Sequence, residues 1–516
     1  ELTPQVAGRY HALILNPAGQ TVGCRDLAVL PLSERHRVAP AHGVWAVRRS
    51  WTPELELLFS VFVSRLFHSD PGGWAFWRPL HQVLRDPVRN VLHGSLGWGE
   101  DDGHPQKSIW VYADCADLPF SLRAYFAWKL GLPYAQNLCT RGSALTGPYC
   151  SGTHTNLVTK LDHLRDPVMR YTHFAWRFVN RYVHSGNGRN LPADDRSDLY
   201  PVPLVPAALR PGLVFVDPAG HFILATQRTR QSGSTVGALY GVDGHPDLTV
   251  TRKIFSEGTF VFERRLPTGG FKAFRPLVHE ISGIRSLTNA ELAAQGFTPA
   301  SDEQSRMESR NDFYQRVQKV LNPELMDPME MLRAKVEAFM ALTQERVIAI
   351  RVAEEFMEKR RRATIPMPAG KAIFQTTGPW EDYSTPARDM RFLIGMDELA
   401  RFCLLAPRQP DLYRLRPEEQ PGHLTYRLQV KLRSLLTAST FQYTRSDGSQ
   451  WTLRLSDLVS RARELEMAYN PNDCLEHRWG AALGSNEGAT CLRRAPKGQR
   501  NLMASLRPWF RNRYRP

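Results

Sequence analysis

The sequence predicts an α+β protein, with a mixed first half over residues 1–290 and a mainly helical second half over 291–516. Three observations lead there. Short β-prone runs alternate with helical stripes up to about Ala290. From about Asn289 the chain turns charged and helix-favouring, with few glycines. The whole chain has 516 residues, 42% of them hydrophobic and 23% charged, a globular composition that excludes disorder, collagen and a coiled-coil rod and suffices for a large core.

The β-prone runs of the first half are Tyr10–Leu15, Ile109–Tyr112, Leu213–Val216, Phe222–Thr226 and Thr259–Arg264. The last is followed by Pro267-Thr-Gly-Gly270 and Phe271–Phe274, which predicts a hairpin. Helices are expected at Leu55–Phe67 and Leu118–Leu130. In the second half they are expected over Asp302–Val320, Pro328–Arg362, Pro386–Leu405, Thr425–Leu436 and Leu455–Tyr469. Leu332, Val336, Phe339, Met340, Val347, Ile350 and Met357 share one stripe of the second of these.

Lys and Arg number 66 against 51 Asp and Glu, a net charge of +15, and the pI is near 9.6. Such a balance favours anionic partners. The longest apolar run, Leu57–Ser64, is far short of the ~20 residues of a membrane span. The chain begins with Glu1 rather than Met, which suggests a removed leader or a trimmed end.

Seven cysteines stand at 24, 115, 139, 150, 403, 474 and 491. Cys139 and Cys150 bracket a loop of turn formers, and Cys474 and Cys491 bracket another; neither pair has zinc-site spacing. Local disulfides across such loops suit an exported, periplasmic or secreted protein. A third bridge, Cys24 to Cys403, would leave Cys115 alone. The competing reading is seven reduced thiols in a cytosolic protein.

Cys115 stands between the β-prone Ile109–Tyr112 and a helical stripe of Leu118, Leu122, Tyr125, Phe126 and Leu130. Gly131 and Pro133 stop that helix, Asp114 or Asp117 can cap its start, and Pro119 must fall in its first turn. A cysteine at a helix start gains thiolate character from the partial positive charge there. The alternative is an inert buried cysteine. Downstream, the runs Leu213–Val216 and Phe222–Thr226 flank the turn Asp217-Pro-Ala-Gly220, so His221 opens a strand and is held rigidly.

Asp-Cys-Ala-Asp-Leu followed by a helix ending Leu-Gly-Leu-Pro resembles the nucleophile segment of papain-like thiol enzymes, both the NlpC/P60 cell-wall peptidases and the transglutaminase-like proteins. The Gly220-His221 strand start is similar to the histidine segment of the former. The resemblance implies a papain-like thiol domain, a helix packed on an antiparallel sheet, with an insertion around 139–200. It implies Cys115 as nucleophile and His221 as general base. Asp243, at the end of a later β-prone run, fits the third position in the Cys-His-Asp order; Gln227 and His245 are rivals, and a plain Asp243-Gly244 turn is the competing reading. The Cys115 N–H is the expected oxyanion donor, and Tyr112 is close enough in sequence to line the site. No cofactor or metal is implied.

Asp194, Asp195 and Asp198 lack EF-hand spacing and read as a solvated loop. His154, His163, His173 and His184 form no ligand pair. Twelve tryptophans, among them Trp74, Trp77, Trp98 and Trp380, read mainly as core. The tail Leu492–Pro516 carries eight Arg or Lys and no acid, interleaved with Trp509, Phe510 and Tyr514. It suits an anionic polymer, or the protein's own acidic surface; nucleic acid ranks below both.

The expected function is therefore exported, cysteine-dependent hydrolysis of amide bonds, with peptidoglycan stem peptides as the substrate that the resemblance implies. Transglutaminase-like acyl transfer is the second expectation, and a non-catalytic cell-wall- or protein-binding scaffold the third.

Overall fold

The β-prone runs Leu213–Val216, Phe222–Thr226 and Phe271–Phe274 meet in one seven-stranded antiparallel sheet. Its strands, in spatial order, are Phe76–Trp77, Val250–Ile254, Leu239–Gly244, His221–Arg228, Val214–Asp217, Gly270–Phe274 and Leu199–Pro201. The computed structural model describes residues 39–69, 75–101, 108–142, 147–263 and 268–516, together with the backbone of the paired strands Gly8–Leu15 and Thr21–Val29. It is 41% helical and 15% strand, a mixture of helices and antiparallel sheet.

The central strands are buried on both faces, which is why they read as continuous apolar runs instead of alternating ones. On one face Phe274 meets Phe59 of the helix Pro53–Leu66 and Phe120 of the helix Asp117–Leu130, with ring centroids 6.3 and 5.1 Å apart. On the other, Phe215 and Phe271 each lie 6.1 Å from Phe313 of the helix Arg310–Leu321. One apolar core thus continues from Val44 through Leu321.

The helix Asp117–Leu130 departs from the expected amphipathic pattern: its residues are buried all the way round. Its polar members are neutralised inside. Arg123 forks onto Glu56 and stacks on Trp51, and Lys129 pairs with Glu100. Asp114 supplies the start, accepting from the Ala116 and Asp117 amides at 3.0 and 3.4 Å. Gly131, at φ +65°, ends it in the left-handed conformation.

Two expected strands are absent. Ile109–Tyr112 carries no regular structure and pairs in no ladder, and the segment from Thr259 to Glu263 begins in a turn anchored by Thr259 and carries no strand. Residues 264–267 lie outside the described part, as does Trp74. Gly270–Phe274 pairs with Val214–Asp217 and Leu199–Pro201 instead of forming the expected hairpin.

The second half is built on the helices Pro328–Lys359, Pro386–Leu405 and Pro421–Ala438. A hairpin of Thr440–Thr444 and Gln450–Arg454 interrupts it, and the expected Leu455–Tyr469 helix splits into Leu455–Ser460 and Ala462–Leu465. The basic tail is a docked helix, Lys497–Arg511. Its Phe510 is fully buried and stacks on Tyr469 at 4.8 Å. Arg507 and Arg511 pair with Glu466, and Arg513 with Asp397. Much of the tail's charge is therefore spent on the protein's own acids.

Disulfides join Cys139 to Cys150 and Cys474 to Cys491. Cys403 is a buried free thiol, so the third bridge considered from sequence does not form; the Cys24 side chain lies outside the described part. Among the described residues no helix is long and apolar enough to cross a membrane.

Candidate active site

Cys115 sits just before the helix Asp117–Leu130 as a free, partly exposed thiol. Its sulfur lies close enough to the Phe222 backbone, on the strand that His221 opens, for that backbone to favour the thiolate. The strand carrying Asp243 closes in from the other side. At Gly244 an added Cβ would fall 2.7 Å from the carbonyl oxygens of both Ala113 and Asp114, so only glycine lets the strand approach the segment before Cys115.

His221 Nε2 donates to Asp243 Oδ2 at 2.5 Å. A carboxylate can only accept, so Nε2 carries the proton in this bond, and Nδ1 of the neutral ring is the unprotonated nitrogen. Asp243 has no exposed side-chain surface. Thr251, directly opposite it in the strand pair, donates to its Oδ1 at 2.8 Å. His245 Nε2 lies 3.1 Å from the same oxygen, and the Lys253 ammonium lies 3.2 Å from Oδ2. Burial pushes the Asp243 carboxyl up, but His245, Lys253 and the His221 bond overcome it and hold it well below the usual range.

The helical half completes this cluster. Glu345 of the helix Pro328–Lys359 pairs with Lys253 and lies 3.4 Å from His245. Arg388, from the helix Pro386–Leu405, approaches Glu345 at 3.5 Å and Asp247 at 3.4 Å. Arg391 of the same helix bonds Asp217 at 2.9 Å, at the turn that launches His221. Arg515, from the tail, lies within Coulombic reach of Asp217, Arg391 and Cys115.

The electrostatics differ from the expected thiolate. Burial pushes the Cys115 thiol well up, and the negative Asp114, Asp243 and Asp117 push it further; the Phe222 backbone bond opposes them. Burial also drives His221 down to about 3, helped by Arg391, against the pull of Asp243. The resting pair is a neutral thiol and a neutral imidazole. The helix-terminus effect is overridden because three carboxylates and a nearly closed site outweigh about half a charge of dipole.

The remaining candidates scatter. Tyr112 is 42% exposed and stands against Trp110 and His81, on an outer aromatic patch. Gln227 lies beyond a bulge at the far part of its strand, its Oε1 buried without a partner. His245 joins the cluster as a second neighbour of Asp243. Asp198 is buried rather than solvated, bonded by the Asn137 amide and Asn187 at 2.9 Å each.

Asp243, His245 and Glu345 bring ligand atoms within 4.8 Å of one another, but the cation that they hold is the Lys253 ammonium, which a metal would have to displace. The sulfurs of Cys474 and Cys491, near Glu476, are tied up in their disulfide. Sequence reasoning missed Lys253, Glu345 and Arg391. The two-residue alternation of Thr251 and Lys253 was a readable signal for a shared polar face; nothing local marks the other two.

No family model, no curated protein and no solved structure matches the chain.

Proposed function

We propose that the chain is a cysteine-dependent hydrolase of amide bonds, with Cys115 as nucleophile, His221 as general base and Asp243 as its orienter. The single observation that carries this is the 2.5 Å bond from His221 Nε2 to a fully buried Asp243 whose charge reaches the free thiol of Cys115. In this reading the Cys115 proton passes to His221 as sulfur attacks the carbonyl carbon. The imidazolium then protonates the departing amine, leaving a thioester. Water, deprotonated by His221, releases the acid and restores the thiol. Asp243 stabilises the imidazolium formed in both halves of the cycle.

Substrate and place rest on other observations. The resemblance to NlpC/P60 peptidases supplies peptidoglycan stem peptides as the substrate class. Two disulfides fit an extracellular location, which supports a periplasmic or secreted enzyme. The net charge of +15 suits an anionic wall. The near-closure of the site favours a second reading, acyl transfer to an amine, because a thioester shielded from water survives to meet one.

The test uses the whole protein with purified muropeptides, with and without a labelled amine, followed by mass spectrometry. Cleavage that Cys115→Ala and His221→Ala both abolish supports hydrolysis; incorporated label supports transfer. A Cys115→Ala protein that retains activity, or a wild type inactive on every amide offered while still binding cell walls, overturns the enzyme reading in favour of a scaffold.

A further inference from the structure

The cluster around Asp243 contains more charge than a catalytic triad requires. Two carboxylates, Asp243 and Glu345, are both essentially buried, and one ammonium, Lys253, lies between them. Lys253 shares the sheet with Asp243, whereas Glu345 arrives on a helix of the other half. His245 Nε2 lies within 3.4 Å of both carboxylates, and its ring is stacked beside His221 with centroids 5.9 Å apart.

We propose that Lys253 and Glu345 are positioning residues for the thiol site: together they set the net charge around Asp243 and hold its carboxylate toward His221, so that the helical half is an integral part of the catalytic centre. This rests on the proposed roles of Cys115, His221 and Asp243. The reasoning is electrostatic. A buried carboxylate paired solely with a lysine is half-neutralised and stabilises an imidazolium poorly. Glu345 draws the ammonium toward itself and leaves Asp243 free to support His221. Without Lys253, two buried carboxylates would repel, and Asp243 would lose the ammonium that shares its Oδ2 with His221.

The charged groups facing this pair are known on every side. His221 faces Asp217 at its turn, Asp243 and His245 on the sheet, and Arg391 from the helical half. Cys115 faces Asp114, Asp117 and Asp243, with Arg515 from the tail. Arg388 approaches Glu345 but leaves Lys253 closer to it. Altering Glu345 or Lys253 leaves all of these in place.

The test follows alkylation of Cys115 in the full chain by iodoacetamide from pH 5 to 10, read by mass spectrometry of the Cys115 peptide. Glu345→Gln should make the site more positive, ease loss of the Cys115 proton, and move the pH profile downward by about one unit, roughly tenfold faster at neutral pH. Lys253→Met should move it upward by a similar amount. The double variant should return close to wild type, and Lys253→Arg should match it. A purely structural role would instead loosen the site in both single variants and shift them the same way, alongside equal losses of melting temperature; that result overturns the proposal. If Glu345→Gln fails to fold, the contrast of Lys253→Met with Lys253→Arg decides alone. His221→Ala separates the two levels: if it leaves the profile unchanged, the proposed function fails, whereas if it moves the profile and neither Glu345→Gln nor Lys253→Met does, the positioning role alone fails. A Cys115 that is never alkylated in wild type overturns both.

Discussion

Gly244 lies so close to Asp114 that a single added methyl would press on its carbonyl oxygen at 2.7 Å. The contact joins the strand that ends in Asp243 to the segment that delivers Cys115. Gly244→Ala should push the two apart, cost about 1–3 kcal/mol of stability, and reduce any Cys115-dependent activity by more than tenfold. Thermal unfolding and activity, measured on one preparation, check it; an active protein of unchanged stability contradicts the close approach.

Thiol reactivity should be low at neutral pH and keep rising through pH 9, because burial and three carboxylates hold the Cys115 proton on. Asp114→Asn removes one of those charges and keeps a capping side chain. It should speed alkylation at pH 7 several-fold. A rate already at its plateau by pH 7 would show that the thiol is a resting thiolate.

Stability should fall between about pH 4 and pH 7 through Asp198. Burial raises its carboxyl to about 7, against the Asn187 and Asn137 bonds that lower it. The folded state therefore holds a proton that the unfolded chain has lost, so this contribution is complete below about pH 4 and disappears as pH rises through 7. Asp198→Asn should flatten that slope, a difference on the order of a few kcal/mol in urea titrations at pH 5 and 8. Parallel curves for the two proteins would remove Asp198 as the cause.

The docked tail gives a clear expectation. Phe510→Ala empties a fully buried site between Tyr469 and Phe374 and should cost about 3–5 kcal/mol. High salt should reproduce only a small part of this, since the pairs of Arg507 and Arg511 with Glu466 are partly exposed. A tail serving solely as a basic arm for an anionic polymer would show the reverse, with little loss of stability and a large loss of salt-dependent wall binding.

Replacing Cys474 and Cys491 by serine opens a loop of sequence separation 17. The entropic cost to the folded state is about 3 kcal/mol. Denaturant midpoints with and without the bridge measure it, and equal midpoints would show that the loop's own packing suffices.

Local punctuation explains what could be read from the sequence. The Asp114 cap, Pro119 in the first turn and Gly131 placed the helix behind Cys115; Asp217-Pro-Ala-Gly220 placed His221 at a strand start; Asp243-Gly244 marked a strand end. The cluster's outer members had no such marks. Glu345 sits within a helix whose apolar stripe hides one buried acid, and Arg391 meets Asp217 across 174 residues. Ile109–Tyr112 misled because β-prone residues become strands only where a neighbouring strand offers a ladder. The thiol's charge state misled because burial, the largest cause, is set by packing that no local pattern reveals, and it acts together with the adjacent Asp114 against the helix dipole.

The pairing of Asp217 with Arg391 also orders events in time. At roughly 5–20 residues per second, the 174 residues between them take on the order of ten to thirty-five seconds to synthesise. Within that interval, from Asp243 until Glu345, the emerging sheet has Cys115, His221 and Asp243 but lacks the arginine beside the histidine turn and the glutamate that engages Lys253. A newborn chain therefore passes through a stage in which the Cys115 thiol exists without its full electrostatic setting, and on the proposed mechanism its reactivity would wait until the last third of the molecule has been made.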